Sequence, residues 1–212
     1  MNSHSMTNTA TALQPRKTPI QARSAATVAA LHTATIQVLT QEGLSRCTTT
    51  RVAERAGMSV GSLYQYYPNR DALLASVLEE HLVGIGAAVE RACRAARGWP
   101  VAEMAAALVG AYLGAKLSDP AKSKALYSVA AERGGRELAR QMYARSATAI
   151  ADMLDSAPDG GFTDPSVTAA IALTAIAGPV TALLDGLAPP GFETRLEEEL
   201  VRLLTAYLRH GG

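Results

Sequence analysis

The stretch Thr49-Thr50-Arg51-Val52-Ala53-Glu54-Arg55-Ala56-Gly57-Met58-Ser59-Val60-Gly61-Ser62-Leu63-Tyr64-Gln65-Tyr66-Tyr67-Pro68-Asn69-Arg70 decides how the rest of the chain is read. The cluster Thr48-Thr49-Thr50 supplies hydroxyls that cap a helix N-terminus, so a short helix is expected over residues 49–56. Gly57 ends it and can adopt the positive φ that a tight turn needs. Ser59 is the next cap, and a second helix is expected over residues 60–66. Val52, Ala56, Met58, Leu63 and Tyr66 then form one apolar seam between the two helices, with Ala53 small where they cross. Two short helices joined by a tight turn have the build of a helix-turn-helix, whose second helix enters the DNA major groove.

The outer face of that second helix is chemically suited to reading DNA. Val60, Gly61, Ser62, Tyr64 and Gln65 point away from the seam or lie at the helix N-terminus. Ser and Gln bond base edges, Gln matching adenine. Tyr hydroxyls bond phosphates, and a helix N-terminus offers free N–H groups to the same anions. Thr50 and Arg70 flank the reader as candidate clamps on the DNA backbone. Charge agrees. The chain's net charge is +1, yet residues 1–70 carry seven Lys/Arg against two acids, and residues 71–212 carry thirteen against seventeen. A basic first third on a neutral-to-acidic body suits a polyanion-binding module.

The quoted residues closely resemble the signature of TetR-family regulators: a Thr-Thr start, an Ile-Ala or Val-Ala step, Ala-Gly-Val-Ser, Gly-Thr/Ser-Leu-Tyr, and an aromatic before a Lys. The resemblance extends over roughly residues 20–80. It implies that Thr49, Thr50 and Arg51 contact DNA at the start of the second helix of the domain. It implies that Val60, Gly61, Ser62 and Gln65 face bases, and that Tyr64, Tyr66 and Arg70 hold phosphates. Arg70 stands where the family usually has Lys, Met58 where Val is common, and Tyr67 where Phe is common. The resemblance also implies a double-stranded operator as partner and a larger C-terminal domain for dimerisation and effector sensing.

The remaining chain reads as helical throughout, in a fold class of all-α: a three-helix DNA-binding domain followed by a larger helical domain. Val28, Leu31, Ala34, Thr35, Val38 and Leu39 recur at helical spacing over residues 24–41, and Gly43 follows. Longer helices are expected over residues 71–97 (with Gly84-Ile85-Gly86 as a candidate bend), 101–117, 120–132, 136–155, 166–187 and 192–209. The expected organisation is a disordered tail over residues 1–19, a DNA-binding domain over 20–70, and an effector and dimerisation domain over 71–212. The polar start has no apolar run of the kind a signal peptide needs. Twenty uncharged residues precede Asp185, a length that could span a bilayer. They are rich in Ala and contain Thr168, Thr174, Gly178, Pro179 and Thr181, and no aromatic or basic belt flanks them, so a buried helix is expected. Cys47 and Cys93 form no metal or disulfide framework, which suits a cytoplasmic protein. His32 and His81 show no metal-ligand spacing, and no cofactor is expected.

Gly57-Met58-Ser59-Val60-Gly61 also matches the G-x-S-x-G elbow of serine hydrolases, with Ser59 as nucleophile. That elbow requires a preceding strand, whereas a helical Ala-Glu-Arg-Ala run precedes it here. A ligand-independent activator is a further alternative to a repressor released by a small molecule.

In the second domain, the small residues of helix 166–187 and the Leu stripe of helix 192–209 (Leu196, Leu200, Leu203, Leu204, Leu208) suit a twofold four-helix interface between copies. Trp99, Met104, Tyr112, Met142 and Tyr143 are the candidate walls of an apolar effector pocket, with Lys116 as a possible anchor for an acidic ligand. Effector binding is expected to tilt helix 71–97 and change the spacing of the two readers.

Overall fold

The computed structural model describes residues 19–210. The expected tail lies outside them apart from Pro19, which opens the first helix. The described residues form α1 (Pro19–Glu42), a single 3-10 turn at Leu44–Arg46, α2 (Thr49–Arg55), α3 (Val60–Tyr64), α4 (Arg70–Ala95), α5 (Val101–Leu117), α6 (Pro120–Ala130), α7 (Arg133–Leu154), α8 (Pro165–Asp185) and α9 (Phe192–His210). No strand occurs among them, and the all-α expectation holds.

Local chemistry explains the boundaries. Thr48, Ser59, Asn69, Asp119 and Asp164 each accept a backbone N–H through the side chain at the start of α2, α3, α4, α6 and α8. Asn69, accepting from the Ala72 N–H at 2.8 Å, starts α4 one residue earlier than the sequence suggested. The reader helix α3 stops at Tyr64 rather than Tyr66. The N–H groups of Tyr66 and Tyr67 both turn back onto the Leu63 carbonyl, and the chain leaves the helix ahead of Pro68.

Between α2 and α3 the chain closes a Schellman turn. The Met58 N–H donates to the Ala53 carbonyl (3.0 Å) and the Gly57 N–H to the Glu54 carbonyl (3.1 Å), with Gly57 at φ 69°. This turn fixes the angle at which α3 leaves α2.

Burial divides into two clusters. One gathers Leu31, Val38, Val52, Ala53, Leu63, Leu73, Leu74 and Leu78 around the helix-turn-helix, and α6 closes it with Leu126 and Val129. The other gathers Ile85, Val89, Leu108, Ile150, Met153, Ile176, Leu200 and Leu204. Helix α4 belongs to both, and α6 reaches back across the expected domain boundary at residues 70–71. The Gly84-Ile85-Gly86 segment is no break: α4 runs through it. Gly86 instead permits close approach, since a Cβ there would lie 2.9 Å from the Met142 Cε. Both α4 and α8 are long and apolar enough to cross a bilayer by length and composition. In the fold α8 buries Ala169, Ala172, Leu173, Ile176, Val180 and Leu184 against α7 and α9, as expected of a core helix.

Gly57→Ala should lower stability by about 1–2 kcal/mol through backbone strain alone, because nothing lies within 4 Å of the added Cβ. Gly57→Asn should cost less, since Asn tolerates this region better. Urea unfolding midpoints of the two variants and the parent check this order.

Candidate nucleic-acid interface and inner cavity

Helices α2 and α3 present a mixed polar surface held from beneath by the first core. Val52, Ala53 and Leu63 are fully buried, and Ala56, Met58 and Tyr66 pack partly buried against them, so the expected seam is present. Thr50, Arg51, Gly61, Tyr64 and Gln65 are exposed; Thr49 and Ser62 are half-buried. Val60, expected on the outer face, packs partly buried against the core and leaves that face to the polar residues.

Several of these groups are already oriented by neighbours. The Ser59 Oγ accepts from the Ser62 N–H (3.1 Å) and lies 2.9 Å from the Ser62 hydroxyl. The Tyr64 hydroxyl lies 3.2 Å from the Thr49 Oγ1, linking the reader to the start of α2. Arg51 is ion-paired with Glu42 at the end of α1, and Arg55 donates to the Gln41 amide oxygen at 2.7 Å. Ser59 thus serves as a helix cap, and the residues before it are helix α2 and its turn. The strand–turn–helix setting of a hydrolase elbow is not what surrounds it.

Arg70 departs from the role expected of it. Its Nε donates to the Cys47 carbonyl (2.6 Å) and one terminal nitrogen to the Leu44 carbonyl (2.8 Å), while the other faces Asp71 and Glu132. Its donors are turned inward, tying the start of α4 to the turn ahead of α2. The planar fork of Arg spans two carbonyls where the single ammonium of Lys would be a point donor.

Sequence reasoning missed a second tie. His32 on α1 is 7% exposed; its Nε2 lies 2.7 Å from the Tyr67 hydroxyl and 3.3 Å from the Ser76 Oγ, and its Nδ1 contacts Glu80. The phenol of Tyr67, noted only as a replacement for Phe, is the group that joins the end of the reader to α1 and α4. The one signal for it in the sequence is a lone His within an apolar helical stripe.

In the second domain, a cavity of about 160 Å³ lies among α4, α5, α6, α7 and α8. Of the five candidate pocket residues, Tyr112, Met142 and Tyr143 line it. Met104 does not: it is fully buried in the core, two turns before Tyr112 and so about 12 Å away along α5. Trp99 does not either; it is 43% exposed in the turn after α4. Lys116 and Tyr127 complete the polar side of the cavity, the Lys116 Nζ lying 4.3 Å from the centre of the Tyr127 ring. Burial pushes the Lys116 ammonium down to about 8 and the Tyr112 phenol well up. The neighbouring His81 is pushed down to about 4, first by burial and then by Lys116 and Lys122, with Asp119 opposing. Among the described residues no cluster of His, Cys, Asp and Glu could hold a metal.

A basic helix-turn-helix mounted on a larger helical body defines a DNA-binding regulator. The comparisons with known proteins agree. Residues 31–77 match the family described as bacterial regulatory proteins, tetR family, and residues 100–208 match the tetracyclin repressor-like C-terminal domain. The chain belongs to the TetR family of transcriptional regulators. It is similar to the HTH-type transcriptional regulator BetI of Paraburkholderia phymatum, at 28% identity over 58% of this chain and 74% of that protein. Its fold is similar to that of a transcriptional regulator from Rhodococcus sp. Rha1, at TM-score 0.70 and 19% identity over 87% of this chain and 96% of that one. It is also similar to FadR of Bacillus subtilis in complex with stearoyl-CoA, at TM-score 0.65 and 15% identity over 87% and 98% of the two chains.

Because folded His81 stays neutral down to about pH 4 while an unfolded His protonates near 6.5, the unfolded chain binds the extra proton between those values. The contribution of His81 to stability is therefore flat above pH 6.5 and falls as pH drops towards 4, by on the order of 3 kcal/mol in all. His81→Gln should lose this part of the acid sensitivity; urea unfolding of both proteins across that pH window checks it.

Proposed function

We propose that the chain is a homodimeric repressor that binds a near-palindromic operator and is released when a small molecule occupies the cavity between α4 and α7. The observation that carries the DNA-reading part is the outer face of α2 and α3. There Thr49, Thr50, Gly61, Ser62, Tyr64 and Gln65 stand together, on a core that excludes their apolar neighbours. Gln65 and Ser62 read base edges, Gly61 lets the backbone come close, and Tyr64 and Thr50 hold phosphates. Arg51 reaches DNA by exchanging its pairing with Glu42 for a phosphate. Tyr66 stiffens the end of the reader from the core side, and Arg70 positions the reader through the Leu44 and Cys47 carbonyls.

Dimerisation through α8 and α9 is supported by what those helices leave uncovered. Val167 and Ile171 are 53% and 44% exposed one turn apart on α8, and Leu203 is 51% exposed on α9. A groove of about 390 Å³ runs past Pro179, Phe192, Leu196, Leu200 and Leu203. Large exposed aliphatic side chains beside an apolar groove favour a protein partner, and a second copy satisfies the twofold rule that the same patch meets itself. Such a dimer sets the two readers on successive major grooves, about 34–36 Å apart or somewhat more. Release is then a two-state matter: a ligand favouring one α4–α7 packing shifts reader spacing, with a coupling typically about 1–3 kcal/mol.

Binding-site selection from random DNA should return a near-palindrome whose affinity falls steeply with salt, as expected when phosphates are neutralised. Gln65→Ala should relax preference at one position per half-site at a cost of about 1–3 kcal/mol. Tyr64→Phe should weaken all sequences alike. Recovery of no preferred sequence would overturn the reading.

Ile171→Arg together with Leu203→Glu should convert the dimer to a folded monomer in sedimentation velocity and abolish operator binding. A parent protein that sediments as a monomer on its operator would contradict the proposed assembly.

A further inference from the structure

Three polar side chains turn to the cavity among α4, α5, α6, α7 and α8. Lys116, Tyr112 and Ser146 are 4%, 8% and 6% exposed, and all three line the same space. Among the described residues, neither the Lys116 ammonium nor the hydroxyls of Tyr112 and Ser146 have a hydrogen-bond partner. The ammonium rests only against the face of Tyr127, whose own hydroxyl is taken up by Thr181 at 3.2 Å. Among the described residues no carboxylate pairs with it, and burial lowers its basicity.

The polar atoms of these three side chains are not sealed from the cavity and lack a partner among the described residues, so they define the chemistry a ligand there would meet. All three donate: an ammonium with N–H bonds free and two hydroxyls. The hydroxyls accept as well as donate, whereas the ammonium only donates, so an acceptor satisfies all three, and a carboxylate has about four acceptor positions with the charge opposite to that of Lys116. The remaining walls are apolar, among them Leu82, Ile85, Met142 and Leu173. Size narrows the choice further. A cavity of about 150 Å³ takes up one benzene ring, so the 160 Å³ here suits a single ring and falls below the range for drug-sized ligands. Aromatic faces and the Met142 thioether are favourable company for such a ring. A fatty acyl-CoA such as the one bound to the Bacillus subtilis neighbour far exceeds this space.

We propose that this cavity binds a small aromatic carboxylate, its ring among Leu82, Ile85, Met142 and Leu173 and its carboxylate on Lys116, Tyr112 and Ser146. The inference rests on reading this cavity as the effector site only for its consequence at the operator; the binding chemistry stands on the side chains themselves.

The test is isothermal titration calorimetry of the full chain with benzoate and two isosteres, neutral benzamide and cationic benzylamine. Benzoate should bind once per chain, benzamide at least about tenfold more weakly, and benzylamine not measurably. Lys116→Met keeps the stem and removes the charge, and should bring benzoate down to the level of benzamide. Tyr112→Phe and Ser146→Ala remove one hydroxyl each and should each weaken benzoate more than benzamide, which keeps the test decisive should the lysine variant fail to fold. Equal affinity for benzoate and either isostere, unchanged benzoate affinity in the variants, or no saturable benzoate binding at millimolar concentration would overturn the proposal. Operator release is measured separately. Benzoate that binds without releasing DNA would overturn the effector reading and leave the ligand assignment standing.

Discussion

The structure depends on one helix being shared by two cores. Helix α4 places Leu73, Leu74, Val77 and Leu78 under the helix-turn-helix and Ile85, Val89 and Cys93 in the larger cluster. Close-packed interiors resist continuous deformation, so a helix built into both transmits displacement rather than absorbing it. At Gly86 no side chain separates α4 from the Met142 thioether end, and an added Cβ would lie 2.9 Å from it. The cavity opens beside that same contact, with Gly86 and Met142 both in its wall.

At the other end, α4 is tied to the reader by polar contacts rather than by apolar packing alone. Arg70 bonds two carbonyls in the turn before α2, and His32 joins Tyr67 at the end of the reader to Ser76 and Glu80 on α4. These groups are directional, and satisfied buried networks define one arrangement more sharply than apolar contacts do. These contacts join α4 to the end of α3 and to the turn before α2. The surface of the reader stays polar and lightly engaged, with short links such as Tyr64 to Thr49 that DNA can compete for.

The fold and the helix-turn-helix were legible in the sequence because their signals are local. A cap, an apolar seam and a glycine lie within a few residues of one another in α2 and α3, and the structure keeps all three. The inward turn of Arg70 was not legible, because its acceptors, Leu44 and Cys47, are main-chain groups distant in sequence. The same holds for Met104. On α5 it shares a face with Tyr112, but position along the helix separates core from cavity, and periodicity carries no information about which turn faces a void. Lys116 was the available clue. Apart from Glu103 it is the only charge on an otherwise apolar helix, and an isolated cation on such a face is either at the surface or in want of a partner.

The structure decides between those two readings of Lys116, and that decision shapes the chemistry of the second domain. A lysine kept 4% exposed without a carboxylate destabilises the fold unless something compensates it. Contact with the Tyr127 face offsets part of this, since a cation over an aromatic ring contributes on the order of 1–2 kcal/mol when desolvated. An ammonium in water is far better solvated than that, and the lowered basicity of Lys116 expresses the shortfall.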